Sequence, residues 1–274
     1  MSGQSHLPKG TSRAGFIALI AAIMALNALA IDIMLPAFPE IRDSLGIDDP
    51  NHTQFVLTTY FAGFGIGQLL FGPISDRFGR RAPLFWGLGL YVLCAFLAPL
   101  SPDFTILLVL RTLQGFGAAS TRIVAMSVVR DTHSGRAMAE VMSLVFMVFM
   151  IVPIVAPAIG QVLVLLGPWP LIFVVMGALG LAVGLWAHFR LPETLAPENR
   201  RRLRFDVIIE GFQIVLSNRT AMMYGLAPGV MFGAMISFIG VVQPIYTEIY
   251  DLGPLFPLAF AAAAGFITTT SAAI

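Results

Sequence analysis

Two ionisable side chains, Asp32 and Arg111, interrupt long apolar runs in this 274-residue sequence. A charge at the centre of a bilayer costs about 2.5–3.5 kcal/mol on insertion scales, so a charged residue in such a run is a candidate functional residue. At 1.5 Å per residue, Asp32 is about 28 Å along a helix from Arg13, and Arg111 is about 10 Å from a helix start near Phe104. If both runs cross a membrane, the two side chains can share one depth.

Together, Asp32 and Arg111 could carry protons. A carboxyl group binds and releases a proton as its surroundings change, because burial favours the neutral form and a nearby arginine favours the ionised form. We therefore hypothesise that the two side chains line one cavity and that their charges are coupled through space or through a substrate. Two alternatives stay open: Asp32 as a helix-end residue at the outer interface, and Arg111 in a structural ion pair between helices.

The segment at 72–81, GPISDRFGRR, separates two apolar runs with three arginines, one aspartate and two glycines. Because such a segment cannot lie in hydrocarbon, it predicts a short basic turn between two membrane spans. Asp76 and Arg80 are four residues apart and would face one another on a helical turn. Gly72 and Gly79 would permit close approach of a backbone or a partner helix.

The composition indicates a polytopic membrane protein. The chain is 57% hydrophobic and 11% charged, with a mean hydropathy of +0.85, whereas soluble domains are about 45–50% apolar and about 25% charged. A helix needs about 20 apolar residues to cross a bilayer. The predicted spans are 15–35, 54–74, 82–100, 104–126, 140–163, 171–189, 221–246 and an eighth that begins near 255.

Positive charge is concentrated on one side of these spans. Of the 16 lysines and arginines, Arg111 lies within a span and Arg42 in the first external loop, and the other 14 lie at the ends and loops of one side. The positive-inside rule makes that side, with the N-terminus, cytoplasmic. The arginines therefore need no nucleic-acid partner, and the expected surroundings are a lipid bilayer.

The longest connection predicts a domain boundary. It contains the helix-breaking Pro192 and Pro197 and an arginine cluster at 200–204, followed by apolar residues at helical spacing. We expect a six-helix transmembrane bundle over 1–189 and a cytoplasmic linker with an interfacial helix over 190–220. Residues 221–274 would be the incomplete start of a C-terminal bundle, with two helices.

Several segments resemble one family. The pattern at 72–81 resembles the loop between helices 2 and 3 of major facilitator superfamily transporters, in which two six-helix halves surround a central cavity. IDIMLPAFPEI around Asp32, RTLQGFGAAS from Arg111, VVRD followed by GRA, and LPET resemble drug:proton antiporters of the Bcr/CflA type. The resemblance implies an all-α membrane protein with the major facilitator fold, of which this chain holds the first six-helix bundle and the first two helices of the second.

The resemblance also implies roles for particular residues. Asp32, Arg111 and Gln114 would couple protons to substrate, while Gly115 and Ala119, four residues apart, would form a small face for helix packing. Asp76, Arg80 and Asp131 would form a charge relay that holds the outward-open state. The whole gate would comprise Gly72, Asp76, Arg77, Gly79, Arg80, Arg81 and Asp131.

The predicted fifth span contains VPIVAPAIGQ, in which Pro153 and Pro157 remove backbone donors and predict a bend. Antiporters of the superfamily carry a Gly-Pro with paired glycines after it. Here Ala156 replaces the first glycine of this pattern and Gln161 the last, whereas position 160 keeps a glycine. The bend could serve antiport, or it could serve packing alone.

The expected function is proton-coupled export of small drug-like compounds across a bacterial inner membrane by alternating access. The proton gradient would drive it without a cofactor, and the full-length form would be a monomer. The alternatives are a proton-coupled nutrient or metabolite symporter on the same fold and a non-transporting fragment. We expect neither an enzyme nor a metal site, because the four histidines show no metal-ligand spacing.

Overall fold

The computed structural model describes residues 12–200 and 205–250, together with 255, 258–260 and 262, and these residues form helices and connections without strands. The predicted eighth span therefore lies largely outside the described residues. Residues 13–190 contain six long helices, as the predicted major facilitator fold requires. The α-helices are α1 Arg13–Asp32, α2 Phe38–Ser44, α3 Phe55–Phe78, α4 Arg81–Leu97, α5 Phe104–Thr132, α6 Gly135–Leu166, α7 Pro170–Arg190, α8 Phe205–Ser217 and α9 Arg219–Pro244.

Side-chain caps fix several helix starts. Ser12 accepts a hydrogen bond from the Gly15 N–H at the start of α1, and Asp103 accepts one from the Ile106 N–H at the start of α5. These oxygens satisfy backbone donors that have no partner within the helix. Pro170 begins α7, where its missing N–H and fixed φ cost nothing. The caps place these starts within about two residues of the predicted span starts.

Five helical stretches of the described residues are long and apolar enough to cross a membrane: Arg13–Ser44, Asn51–Phe78, Arg81–Leu100, Gly135–Leu166 and Pro170–Arg190. The predicted fourth and seventh spans, in α5 and α9, are not among them. The α5 sequence carries Arg111, Arg122 and Arg130. It lies inside the bundle, in contact with α1, α3 and α4, so much of its polar surface is shielded by other helices.

Glycines allow α3 and α5 to cross at close range. A Cβ added at Gly63 would collide with the carbonyl of Thr112, and one added at Gly115 would collide with the carbonyl of Tyr60. At Gly67, the same atom would lie 2.6 Å from the Cβ of Ala119. The predicted packing role of Gly115 and Ala119 is therefore confirmed.

The buried apolar residues form two clusters, one toward each end of the bundle. One cluster contains Met34, Tyr60 and Phe173, from the C-terminal end of α1 and from α3 and α7. The other contains Leu19 and Val128, from the opposite ends of α1 and α5. In addition, α1 packs against α6 and α7, and α4 packs against α7, which closes the bundle around α1 and α5.

Three predictions about loops are wrong. The segment at 72–81 is not mainly a turn, because α3 continues through Pro73 to Phe78 and α4 begins at Arg81. Gly72 does not permit a close approach, since a Cβ there would meet no atom within 4 Å. Arg122, counted among the cations at span ends, lies within α5, because that helix continues beyond the predicted end at 126 to Thr132.

The connection after α7 contains the predicted helix. It is α8, whose described apolar side chains, including Ile209 and Phe212, are exposed. An amphipathic helix with an exposed apolar face suits a membrane interface, and its position there stays a prediction.

Candidate functional site

Arg111 is completely buried (0% exposed) and joins three helices. From α5, its Nε donates to the Val56 carbonyl of α3 at 3.3 Å, and its Nη2 donates to the Ala30 carbonyl of α1 at 3.1 Å. Its Nη1 donates to the Gln114 Oε1 at 2.8 Å. The planar fork of a guanidinium can reach all of these acceptors at once. The structure therefore brings two of the three predicted coupling residues, Arg111 and Gln114, into direct contact, and their coupling role stays a prediction.

Two aromatic rings also contact the Arg111 guanidinium. Its Cζ lies 4.4 Å from the ring centroid of Tyr60 and 5.8 Å from that of Phe173. A ring face attracts a cation most strongly where water is excluded. Across residues 12–200, no carboxylate lies within 4.0 Å of Arg111. The guanidinium is therefore held by carbonyl dipoles and ring faces, so the alternative of an ion pair between helices is not what the structure shows.

Asp32 is the last residue of α1 and is only 2% exposed. Its Oδ1 is buried and has no hydrogen-bond partner among the described residues. Arg111 contacts the carbonyl of Ala30, two residues earlier in the same helix, so the two predicted residues meet the same end of α1. They form no hydrogen bond with each other there. A buried carboxyl oxygen without a partner is costly, which marks Asp32 as a candidate for proton or ligand binding.

The Gln114 Nε2 and the Tyr91 hydroxyl are also buried without a partner among the described residues. Tyr91 is fully buried. The Gln114 amide uses its oxygen for Arg111 and leaves its nitrogen as a free donor. This part of the bundle therefore combines a free acceptor on Asp32 with free donors on Gln114 and Tyr91.

Tyr60 and Asn27 are functional candidates that the sequence analysis missed. The Tyr60 hydroxyl donates to the Asn27 Oδ1 at 2.9 Å, and both residues are buried. This bond links α3 to α1 directly beside Arg111, because the Tyr60 ring lies under the guanidinium. A signal was present: Asn27 is the single polar side chain between Arg13 and Asp32.

The predicted bend residues of α6 serve at least one packing role. The helix continues through Pro153 and Pro157 to Leu166. A Cβ at Gly160 would collide with the carbonyl of Ile33, the residue after Asp32. Gly160 therefore lets α6 approach the end of α1 that carries Asp32, and the bend at the prolines stays a prediction.

A second cluster lies at the other end of the bundle, where α3 meets α4, and it is centred on Arg80. The Arg80 Nε donates to the Asp131 Oδ2 at 2.7 Å, and Nη1 donates to the Asp76 Oδ1 at 2.8 Å. Nη1 also donates to the Ser75 hydroxyl at 2.9 Å. The Arg80 side chain is 4% exposed, that of Asp131 is 15% exposed and that of Asp76 is 39% exposed. The three predicted relay residues are therefore in contact.

The surroundings of Arg80 stabilise its positive charge. Burial opposes that charge, but hydrogen bonds to Asp131 and Asp76 and the charges of both carboxylates outweigh burial and raise the pKa of Arg80 above its ordinary value. Arg80 therefore stays charged at any physiological pH. The arginine joins the α3–α4 connection to the end of α5.

Glu193, from the LPET segment after α7, is the main residue of this cluster that the sequence analysis did not assign. Its carboxylate accepts hydrogen bonds from the backbone N–H groups of Arg80 at 2.8 Å and Arg81 at 3.2 Å. It also accepts from the N–H groups of Thr194 and Leu195. Burial opposes ionisation, but these four donors hold the pKa of Glu193 below its ordinary value.

Gly79 makes the position of Glu193 possible. It has φ of 87°, in the left-handed region that favours glycine. A Cβ at Gly79 would also collide with the Glu193 carboxylate. A close approach therefore occurs at Gly79, but its partner is a side-chain carboxylate 114 positions later in the sequence and not the predicted backbone or partner helix.

Thr194 completes the contact between the LPET segment and the cluster. Its hydroxyl donates to the Asp131 Oδ2 at 3.1 Å, so Asp131 accepts from both Arg80 and Thr194. Arg81 donates to the carbonyl of His188 at 3.0 Å, and Arg77 is exposed. A cleft of ≈ 700 Å³ opens beside these groups, lined by Asp76, Arg80, Arg130, Asp131, Leu195, Glu198, Asn199 and Arg200.

Comparison with known proteins gives a consistent result. A family model described as Major Facilitator Superfamily matches residues 20–274. YdgK of Bacillus subtilis (strain 168), named an uncharacterized MFS-type transporter, is 34% identical over 251 residues, which cover 91% of this chain and 62% of that protein. A protein of Haemophilus influenzae, named a bicyclomycin resistance protein homolog, is 32% identical over 237 residues, covering 86% and 59% of the two chains. The chain thus spans about three fifths of the length of these relatives.

Solved structures show the same fold. A bacterial homolog of the human lysosomal transporter Spinster, crystallised in an inward-facing and unoccupied conformation, matches with a TM-score of 0.71. The match covers 92% of this chain and 59% of that chain, with 17% sequence identity. At this identity the similarity concerns the fold and not the substrate.

Proposed function

This chain belongs to the major facilitator superfamily of membrane transporters, and from that premise we propose that it exports small drug-like compounds across the bacterial inner membrane in exchange for protons. The N-terminus would lie in the cytoplasm, and the proton gradient would supply the energy. Membership of a transporter family also means that the chain is not an enzyme.

One observation carries the proposal: at the same end of α1, the buried Asp32 Oδ1 has no hydrogen-bond partner, and the buried Arg111, bound to the Ala30 carbonyl, has no carboxylate within 4.0 Å among the described residues. Asp32 can take up a proton without breaking a hydrogen bond at its Oδ1. Once ionised, it would be attracted to the positive charge of Arg111, which is already bound to the same end of α1. Proton binding at Asp32 would therefore change the forces between α1 and α5.

A substrate could use the same groups. Gln114 and Tyr91 offer free donors, while Asp32 offers an acceptor that a cationic compound would neutralise when the proton leaves. Competition between a proton and a cation for one carboxylate is the simplest form of exchange. The name of the Haemophilus influenzae relative, which refers to bicyclomycin resistance, supports a drug-like substrate.

The Arg80 cluster would serve as the gate. Its hydrogen bonds join the α3–α4 connection to α5, the helix that bears Arg111. A shift of α5 in response to the charge of Asp32 would therefore strain the bonds between Arg80 and Asp131. We assign the gate to Gly72, Asp76, Arg77, Gly79, Arg80, Arg81 and Asp131, as the resemblance implies, with Gly72 in no close contact.

The experiment is substrate-induced proton movement in proteoliposomes that contain the intact protein and a trapped pH-sensitive dye. With an imposed proton gradient, addition of bicyclomycin or a cationic dye such as ethidium should release protons in the direction opposite to substrate movement. Asp32→Asn should abolish the signal, whereas Asp48→Asn, which removes an exposed carboxylate, should leave it unchanged.

Other outcomes would contradict the proposal in distinct ways. If protons and substrate move in the same direction, the protein is a symporter. If the unmodified protein and the Asp32→Asn variant move substrate equally well, and neither shows a proton flux, transport is not coupled to protons at Asp32. If the reconstituted protein moves neither substrate nor protons, the chain does not transport.

A further inference from the structure

An apolar groove lies between α4 and α7 and shares no lining residue with the cleft beside Arg80. Gly89 and Val92 of α4 and Gly184 and Leu185 of α7 form its walls. Phe85 and His188 lie at one end, which is the end near the Arg80 cluster. Its volume is ≈ 230 Å³, below the range of roughly 300–1,000 Å³ that is typical of sites for drug-sized ligands. A narrow apolar groove of this size suits part of one hydrocarbon chain.

Two of the three glycines that line this groove, Gly89 and Gly184, are not required for helix packing, whereas a Cβ at the third, Gly180, would lie 2.9 Å from the Tyr91 ring. A Cβ at Gly89 would meet no atom within 4 Å, and one at Gly184 would meet only the Leu88 side chain, at an ordinary 3.8 Å. At Gly63 and Gly115, by contrast, a Cβ would collide with the backbone of a neighbouring helix. Glycine is a poorer helix former than every residue except proline, so its presence without a packing need indicates another use. Here the missing side chains keep the groove open.

The groove opens toward the hydrocarbon of the membrane. It lies between two helices that are long and apolar enough to span a bilayer. Large apolar side chains beside it are exposed, including Leu93 of α4 and Leu181 and Trp186 of α7. From Phe85 to Val92 the groove extends about 10 Å along the helix axis, at 1.5 Å per residue. This length lies within one leaflet, which is about half of a 30 Å hydrocarbon core.

A cation stands at the end of the groove. The Cζ of Arg81 lies 5.7 Å from the ring centroid of Phe85, and its Nη2 donates to the carbonyl of His188. In the described part of the chain, no carboxylate lies within 4.0 Å of the Arg81 guanidinium. Glu193, whose carboxylate accepts the Arg81 backbone N–H, is already bonded to four N–H groups. The guanidinium therefore has donors left for an external anion.

We propose that this groove binds an anionic phospholipid of the cytoplasmic leaflet, with one acyl chain along Gly89 and Gly184 and the phosphate on Arg81. Charge complementarity selects the headgroup, because an anion meets a cation that has no carboxylate partner among the described residues. The open glycine positions select the chain. Lipid binding here does not depend on the proposed transport activity.

The test is native mass spectrometry of the detergent-solubilised protein, titrated with phosphatidylglycerol or phosphatidylcholine of identical acyl chains. One phosphatidylglycerol should bind about tenfold more tightly than phosphatidylcholine. Gly89→Leu and Gly184→Leu, made separately, should each weaken its binding about tenfold by filling the groove. Gly65→Leu is the matched control, because a Cβ at this exposed glycine of α3 also meets no atom within 4 Å. Arg81→Gln should remove the preference for phosphatidylglycerol.

Each contrary result would overturn the proposal. Equal binding of the two lipids would exclude selection by charge. Unchanged binding in both leucine variants would exclude the groove as the chain site, and if one variant fails to fold the other decides. Competition by soluble glycerol phosphate at the same concentration as the lipid would show a phosphate site without a chain site.

Discussion

The Arg80 guanidinium binds the Asp131 carboxylate with two hydrogen bonds, Nε to Oδ2 at 2.7 Å and Nη2 to Oδ1 at 3.3 Å. Bidentate pairs of this kind are among the stronger side-chain interactions because two charge-assisted bonds also fix the geometry. The pair connects the start of α4 to the end of α5. It is the most direct link between the predicted gate and the helix that bears Arg111.

Asp131→Asn should destabilise the protein by about 1–3 kcal/mol, because Arg80 is nearly buried and would lose a charged acceptor. The measurement is the midpoint of thermal or denaturant-induced unfolding in detergent. Glu198→Gln is the control, since Glu198 is an exposed carboxylate that lines the same cleft. An equal shift of the unfolding midpoint in both variants would mean that the Arg80–Asp131 pair contributes no more to stability than an exposed carboxylate of the cleft.

Asp76→Asn tests the gate itself. The Asp76 side chain is partly exposed and bonds to Arg80 at one atom, so we expect little loss of folded protein. We expect the transport rate to fall by roughly tenfold, which corresponds to about 1.4 kcal/mol of barrier height. Transport and membrane orientation should be scored in the same cells, because the arginines of this segment also fix topology. Unchanged transport with correct orientation would show that Asp76 has no role in the gate.

The stability of the LPET contact should depend on acid. The folded-state pKa of Glu193 is lowered from its ordinary value of 4.5, so its contribution is present above that value and is lost as the pH falls through the folded-state pKa. Glu193→Gln should cost about 1 kcal/mol near neutral pH, as for loss of a helix cap, and should flatten the fall in stability below pH 4.5. The measurement is the unfolding midpoint of the unmodified protein and of Glu193→Gln at pH values from neutral to below 4.5. Parallel curves would contradict the assignment.

Glycine packing between α3 and α5 predicts unequal effects of one substitution. Gly115→Ala should destabilise the protein by about 1–3 kcal/mol, because the added methyl group would collide with the Tyr60 carbonyl and force the helices apart. Gly65→Ala, on α3 but facing open space, should be neutral or slightly stabilising. Unfolding in detergent distinguishes them, and an equal effect of the two would refute the close crossing.

Tyr60 contributes to two interactions that different substitutions separate. Tyr60→Phe keeps the ring under Arg111 but leaves the buried Asn27 without its donor, so we expect a loss of about 1–3 kcal/mol. Tyr60→Leu also removes the ring face and should cost about 0.5–2 kcal/mol more. The difference between the two unfolding midpoints measures the contact with the guanidinium. If leucine and phenylalanine behave alike, that contact adds nothing to stability.

Local signals in the sequence predicted most of the transmembrane helices. Apolar runs located α1, α3, α4, α6 and α7 because hydropathy and length are properties of short segments. The i,i+4 spacing placed Asp76 beside Arg80 for the same reason. The predicted end of α3 is wrong because the charged residues Asp76 and Arg77 do not end the helix, and the chain leaves helical geometry only at Gly79, which has a positive φ.

Local patterns in the sequence do not predict contacts between distant segments. Glu193 bonds to Arg80 across 113 positions, and no periodicity or charge pattern near either residue indicates the pairing. The partners of Arg111 are main-chain carbonyls, which every residue has, so the sequence could identify the arginine as unusual but could not identify what holds it. The LPET segment, which contains Glu193, resembles the family, but this resemblance implies no role for that residue.

The Glu193 contacts also change where the connection after α7 is mechanically anchored. The chain leaves the helix at Arg190, but Glu193 and Thr194 fasten it to the start of α4 and to Asp131. The part of this connection that is not bonded to the bundle through the Glu193 and Thr194 contacts can therefore begin only after Leu195. A force exerted by the chain after Leu195 would act first on the hydrogen bonds of Glu193 and Thr194. Through Asp131 it would then act on the end of α5 before it acts on α7.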